Sequence, residues 1–102
     1  MTEATLVVDG STLRLSGPAT LQTAGPLAAR GRALLTGLPA EATLDLSKVT
    51  RVDSAGVAML VEFWRQREHQ GGRLEFVSIP AELRPLLQLY GLETVFGTDA
   101  SG

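Results

Sequence analysis

The sequence predicts an α/β fold: a mixed, mostly parallel β-sheet of about four strands with helices packed on one side. Two observations carry most of that prediction. Short β-prone runs alternate with segments of helical spacing, in the order β-β-α-β-α-β-α. Strands separated by helices need crossover connections, and crossovers imply parallel pairing. The third observation is size. At 102 residues, 44% hydrophobic and 20% charged, the chain is one globular domain spanning 1–102, with its core at about 4–96 and a tail at 97–102. No linker, repeat or low-complexity stretch divides it.

The elements follow in order. Leu6-Val7-Val8 and Leu13-Arg14-Leu15 are strands joined by a tight hairpin, because Asp9-Gly10 between apolar runs suits a turn with positive φ at its centre. Ser16-Gly17-Pro18 is expected to break the second strand. From Gly25-Pro26 the apolar residues recur as Leu27, Gly31, Leu34, Leu35 and Leu38, a helical spacing with Pro26 in its first turn and Gly37 and Pro39 at its close. Ala42 to Leu46 alternates as a strand, and a further β-prone stretch runs from Val49 to Val52. The clearest helix covers Ala55 to Gln70. Its Val57, Leu60, Val61 and Trp64 form a stripe expected to face the sheet, and Gly71-Gly72 ends it. Arg73 to Val77 alternates as the last strand. A final helix carries Leu83, Leu86, Leu87 and Tyr90, with Gly91 as its C-cap; Pro85 makes it start late or kink.

Composition narrows the function. There is no cysteine, which removes disulfides, thiol catalysis and Cys-based zinc sites. His69 is the sole histidine, so no His-pair metal site exists. Nine basic and eleven acidic residues leave a net charge of −2, without the basic face that nucleic acid requires. No P-loop or Gly-x-Gly-x-x-Gly motif is present. No enzyme activity, cofactor or metal is therefore expected. The start of the chain lacks the basic and apolar regions of a signal peptide, and no apolar run approaches the roughly 20 residues of a membrane span, so a cytoplasmic chain without direct membrane insertion is expected.

Three places could still carry function. Asp45 and Asp53 are the carboxylates expected to lie near one another at a strand end, either as a cation or acid–base pair or as local acceptors. Asp53-Ser54-Ala55-Gly56 lies where a strand turns into a helix, the position at which open α/β sheets present their sites. Asp53 and Ser54 can cap that helix, or Ser54 can be an exposed hydroxyl on a recognition surface. Met59 and Phe63 fall off the predicted core stripe; they form a partner surface or lie under a neighbouring helix.

The run from Leu44 to Leu60, with Asp53-Ser54-Ala55-Gly56 before an amphipathic helix, resembles the STAS domain of bacterial anti-sigma factor antagonists. Val61 to Gln66, Gly72 to Phe76, Ile79 to Leu83 and Leu89 to Leu92 resemble its MlaB-type (toluene-tolerance) branch. The resemblance implies a non-catalytic subunit at the inner membrane. It would bind the MlaF-like ATPase, alongside a permease, in a phospholipid ABC transporter that maintains outer-membrane lipid asymmetry. It also implies that Ser54 is the family's phosphorylatable position, surrounded at the partner contact by Asp53, Ala55, Gly56, Met59 and Phe63. The alternative it implies is an anti-sigma factor antagonist whose binding ends when a partner kinase phosphorylates Ser54.

Overall fold

The computed structural model describes residues 3–97. Four strands, β1 (Thr5–Asp9), β2 (Thr12–Ala19), β3 (Glu41–Val52) and β4 (Arg73–Val77), lie side by side in that order. β1 pairs antiparallel with β2, whereas β2–β3 and β3–β4 are parallel. Two helices make the parallel crossovers, α1 (Leu21–Leu35) and α2 (Ser54–His69). The strand order advances steadily in one direction, so two right-handed crossovers must place both helices on the same face. A single turn of 3₁₀ helix (Ala81–Leu83), α3 (Arg84–Leu89) and α4 (Glu93–Phe96) complete the chain. None of the described helices is long and apolar enough to cross a membrane.

Alternation along each strand decides the layers. Leu13, Leu15 and Ala19 of β2, Ala42, Leu44 and Leu46 of β3, and Leu74 and Phe76 of β4 are buried on the helix side. The other face is polar, with Arg14 and Asp45 paired across β2 and β3 at 3.5 Å. Ser47 donates its backbone N–H to Asp45 Oδ1 at 2.8 Å. That bond first, and the Arg14 guanidinium after it, hold the Asp45 carboxyl below its ordinary range. The Phe76 and Phe96 rings stack with centroids 4.3 Å apart, which fastens α4 to the sheet.

Several boundaries differ from the sequence reading. In the hairpin Asp9 pairs with Thr12, so the turn residues are Gly10 and Ser11, and only Gly10 has positive φ. That pattern, with Gly first, suits a type II′ turn rather than two positive-φ positions. β2 does not break at Ser16-Gly17-Pro18; it continues to Ala19 through two register irregularities. The β1–β2 ladder reaches only to Thr5 opposite Ser16, so Pro18 lies past it and its missing N–H leaves no bond of that ladder unmade. The two β-prone stretches at 42–46 and 49–52 are one strand, β3. α1 begins at Leu21, ahead of Pro26, because Thr20 starts it: the Thr20 N–H bonds Thr23 Oγ1 at 2.9 Å. The last helix starts late, at Arg84 with Pro85 in its first turn, and a separate α4 follows Gly91. Of the predicted tail, Gly97 ends α4 with φ 74°, and residues 98–102 lie outside the described part.

The largest correction concerns α2. Met59 and Phe63 are 4% and 1% exposed, and Gly56 and Arg67 are buried with them, while Val61 and Trp64 are only half-buried. The buried stripe is thus rotated toward α1, which packs alongside α2. Gly31 makes this possible. A Cβ there would stand 2.3 Å from Phe63 Cζ, so the ring occupies the space a side chain would need. Glycine in a helix costs about 1 kcal/mol relative to alanine, but overpacking a core costs typically about 1–3 kcal/mol. Gly31→Ala should therefore lose up to about 2 kcal/mol in urea denaturation. In a Phe63→Leu background the same change should become neutral or stabilising, a coupling read from the four-member cycle. Absence of any coupling between Gly31→Ala and Phe63→Leu in that cycle would contradict the packing described.

Candidate protein-interaction site

β2 and β3 end level with one another, Ala19 opposite Val52, and each turns at once into a helix. The N-termini of α1 and α2 therefore meet at the carboxyl end of the sheet. Asp53 stands between them. Its Oδ1 accepts the Gly56 N–H at 3.0 Å, capping α2, and its Oδ2 accepts the Leu21 N–H at 3.0 Å, capping α1. One carboxylate thus satisfies orphan donors of two helices and meets the positive poles of both. The Leu21 bond first, then the Gly56 bond, hold the Asp53 carboxyl below its usual range against the opposing effect of burial.

The approach is close. Asp53 donates its own N–H to Ala19 O at 3.3 Å, and a Cβ on Gly56 would fall 1.9 Å from that oxygen. Glycine at 56 is a steric requirement of seating α2 on the end of β2. Ser54 is the first residue of α2 and is exposed, as is Ala58 one turn later, while Ala55 is half-buried. The Ser54 hydroxyl makes no hydrogen bond among the described residues. Asp53 alone is the side-chain cap, which leaves Ser54 facing outward.

Of the six residues predicted to meet a partner, the structure brings Asp53, Ser54 and Ala55 together at this turn. Gly56, Met59 and Phe63 are buried, the latter two beneath α1, so no exposed Met59/Phe63 flank exists. Nor do Asp45 and Asp53 pair: Asp45 lies mid-strand on the polar face of the sheet and Asp53 at the far end of β3. Among the described residues no group of three or more His, Cys, Asp and Glu could hold a metal ion.

Two features escaped the sequence reading. Leu21, 72% exposed, stands beside Ser54 because Asp53 holds its backbone N–H. Arg67, 3% exposed, lies at the opposite end of the helices. It donates to Leu35 O at 3.0 Å, to Ala40 O at 3.2 Å and to Pro39 O, tying the end of α1 and the entry to β3 to the last turn of α2. Its spacing of four from Phe63 was the available signal.

Fold and site together define a small α/β domain with a helix-capped strand-end turn and an outward-facing hydroxyl. The family model described as "Mlab, STAS domain" matches residues 4–97, and the chain belongs to that family. Solved structures of the same fold include an anti-sigma factor antagonist from Mycobacterium paratuberculosis, with TM-score 0.73 and 21% identity over 94% of this chain and 83% of that one. The Bacillus cell fate determinant SpoIIAA in its phosphorylated form gives 0.66 and 19% identity, covering 90% and 86%. A sulfate transporter family protein from Wolinella succinogenes gives 0.66 and 22% identity, covering 87% and 74%. At these identities the likeness is one of fold. No curated protein matches the chain.

Because the Asp53 carboxyl is depressed in the folded state, its contribution is present above the ordinary carboxylate range and is lost as pH falls through the folded value. Asp53→Asn should cost about 1–2 kcal/mol at pH 7, because an amide has a single acceptor oxygen and sets its NH2 group against one of the two N–H donors. The gap between parent and variant should close as pH falls below the ordinary aspartate value of about 4, in urea titrations at several pH values. A gap independent of pH would show that the charge of Asp53 is not what the two helices use.

Proposed function

We propose that the chain is a non-catalytic STAS subunit that binds the ATPase of a phospholipid ABC transporter, supports its assembly and activity, and sits at the cytoplasmic side of the inner membrane through that complex. The family match over residues 4–97 carries this reading. The geometry supports it: the turn offers an exposed Ser54 where two capped helix ends meet. The MlaF-like ATPase is the direct partner, next to a permease, and maintenance of outer-membrane lipid asymmetry is the task served.

A second reading is an anti-sigma factor antagonist switched by phosphorylation of Ser54. The fold shared with the phosphorylated Bacillus SpoIIAA and the mycobacterial antagonist favours it. A phosphate on Ser54 would be drawn by the helix N-terminus and repelled by Asp53.

In either case the contact centres on Ser54 and Ala55, with Asp53 as the residue that positions them. Ser54→Glu should weaken ATPase binding at least tenfold in calorimetric titration, by placing a charge in a desolvated contact. Its folding stability should stay within about 1 kcal/mol of the parent, since dipole attraction and Asp53 repulsion oppose each other. Unchanged affinity would move the contact elsewhere on the surface. Recovery of a serine kinase instead of an ATPase, on purification from the native host, would overturn the transporter reading in favour of the second.

A further inference from the structure

We infer that the groove between α1 and α2 receives one amphipathic helix of the ATPase partner, with acidic residues at that helix's amino-terminal end. The inference rests on the transporter reading and extends the Ser54 contact along the two helices.

The groove has a volume of about 790 Å³. Met59 and Phe63 lie at its floor, and Ala24, Gly25, Ala28 and Ala58 line its sides. Side chains this small let a partner backbone approach closely. The stretch from Ala55 to Gln66 is about 16 Å long at 1.5 Å per residue, room for roughly three helical turns. Leu21 stands four residues before Gly25 and seven before Ala28, on the same stripe of α1, so this exposed leucine extends the groove to its Ser54 end. The Asp53 bond to the Leu21 N–H makes the turn and the groove one rigid surface.

Charge selects the occupant. The far end carries Arg32, Arg65 and His69, with Glu62 bonded to Arg65 at 3.2 Å. Arg32 makes no ion pair among the described residues, and its carbonyl accepts from Gln66 Nε2 at 3.0 Å, which holds the groove end closed. At the near end Asp53 already caps both helix N-termini, so the unpaired charge of the groove lies at the arginine end. A helix lying antiparallel to α1 and α2 opposes their dipoles along its length. Its acidic first turn then meets Arg32 and Arg65.

The test uses the chain with the purified ATPase subunit from the same host. Ala58→Arg fills the groove from an exposed position and should weaken binding tenfold or more. Arg32→Glu should weaken it by a similar factor and flatten its salt dependence, and it keeps the test intact should Ala58→Arg prove unstable. Hydrogen exchange on the complex should show added protection over both 21–32 and 55–66. Parent-like affinity for both variants, with Ser54→Glu still impaired and protection confined to 53–56, would overturn the groove and leave the Ser54 contact standing. Failure of the parent chain to bind the ATPase would overturn the functional reading and, with it, the occupant named here. A groove-dependent dimer would overturn the occupant alone.

Discussion

A single carboxylate fixes the end of this molecule at which both crossover helices begin. Asp53 accepts one N–H from each of two helices, Leu21 of α1 and Gly56 of α2, both at 3.0 Å. Parallel crossovers bring these N-termini to the same end of the sheet, where their aligned dipoles would otherwise repel. The shared anion turns that repulsion into cohesion. It can do so only because Gly56 lets α2 rest against the Ala19 carbonyl, which brings the two helix starts within reach of one side chain. The opposite end shows the complementary solution. Arg67 brings a buried positive charge to the carbonyl-rich end of α1, at Leu35 O, and to the chain entering β3. Two parallel helices are thus held at their N-termini by an anion and at their C-termini by a cation, each side chain belonging to α2 or its cap.

Much of this was legible in the sequence. Alternation and helical spacing gave the order of elements, and the Asp53-to-Gly56 turn marked the strand end at which α2 begins. What stayed hidden depended on neighbours in space. The continuation of β2 through Gly17-Pro18 is permitted because the β1–β2 ladder reaches only to Ser16. The second half of β3 is a strand because β2 pairs with it, although Ser47, Lys48, Thr50 and Arg51 supply no buried face. The start of α1 depends on an acceptor thirty-two residues away.

The α2 stripe is the most instructive case. Periodicity found a helix, but it set the buried face on Val57, Leu60, Val61 and Trp64, as for a helix with only a sheet beneath it. A helix with a partner alongside has a second buried flank, and here that flank holds Met59, Phe63 and Arg67. The signal was in α1 rather than α2: Gly31 occupies a core position of its own helix, where a side chain is normally expected. A glycine in that place implies something large opposite it, and Phe63 is what fits.

Burying Phe63 also decides what α2 shows to a partner. With its large apolar residues turned under α1, the helix presents Ser54, Ala58 and Glu62 outward, with Ala55 and Met59 set lower. Such a surface has few large anchors of its own. Affinity must then come from shape, from apolar groups the partner brings, and from the exposed Leu21. It must also tolerate no extra charge near the turn, because small side chains hold a partner too close for water to screen it. In the proposed contact a hydroxyl at Ser54 is compatible with that approach, and a phosphate or carboxylate is not. The same packing that removed Met59 and Phe63 from the surface is therefore what would make the proposed contact sensitive to a single charge.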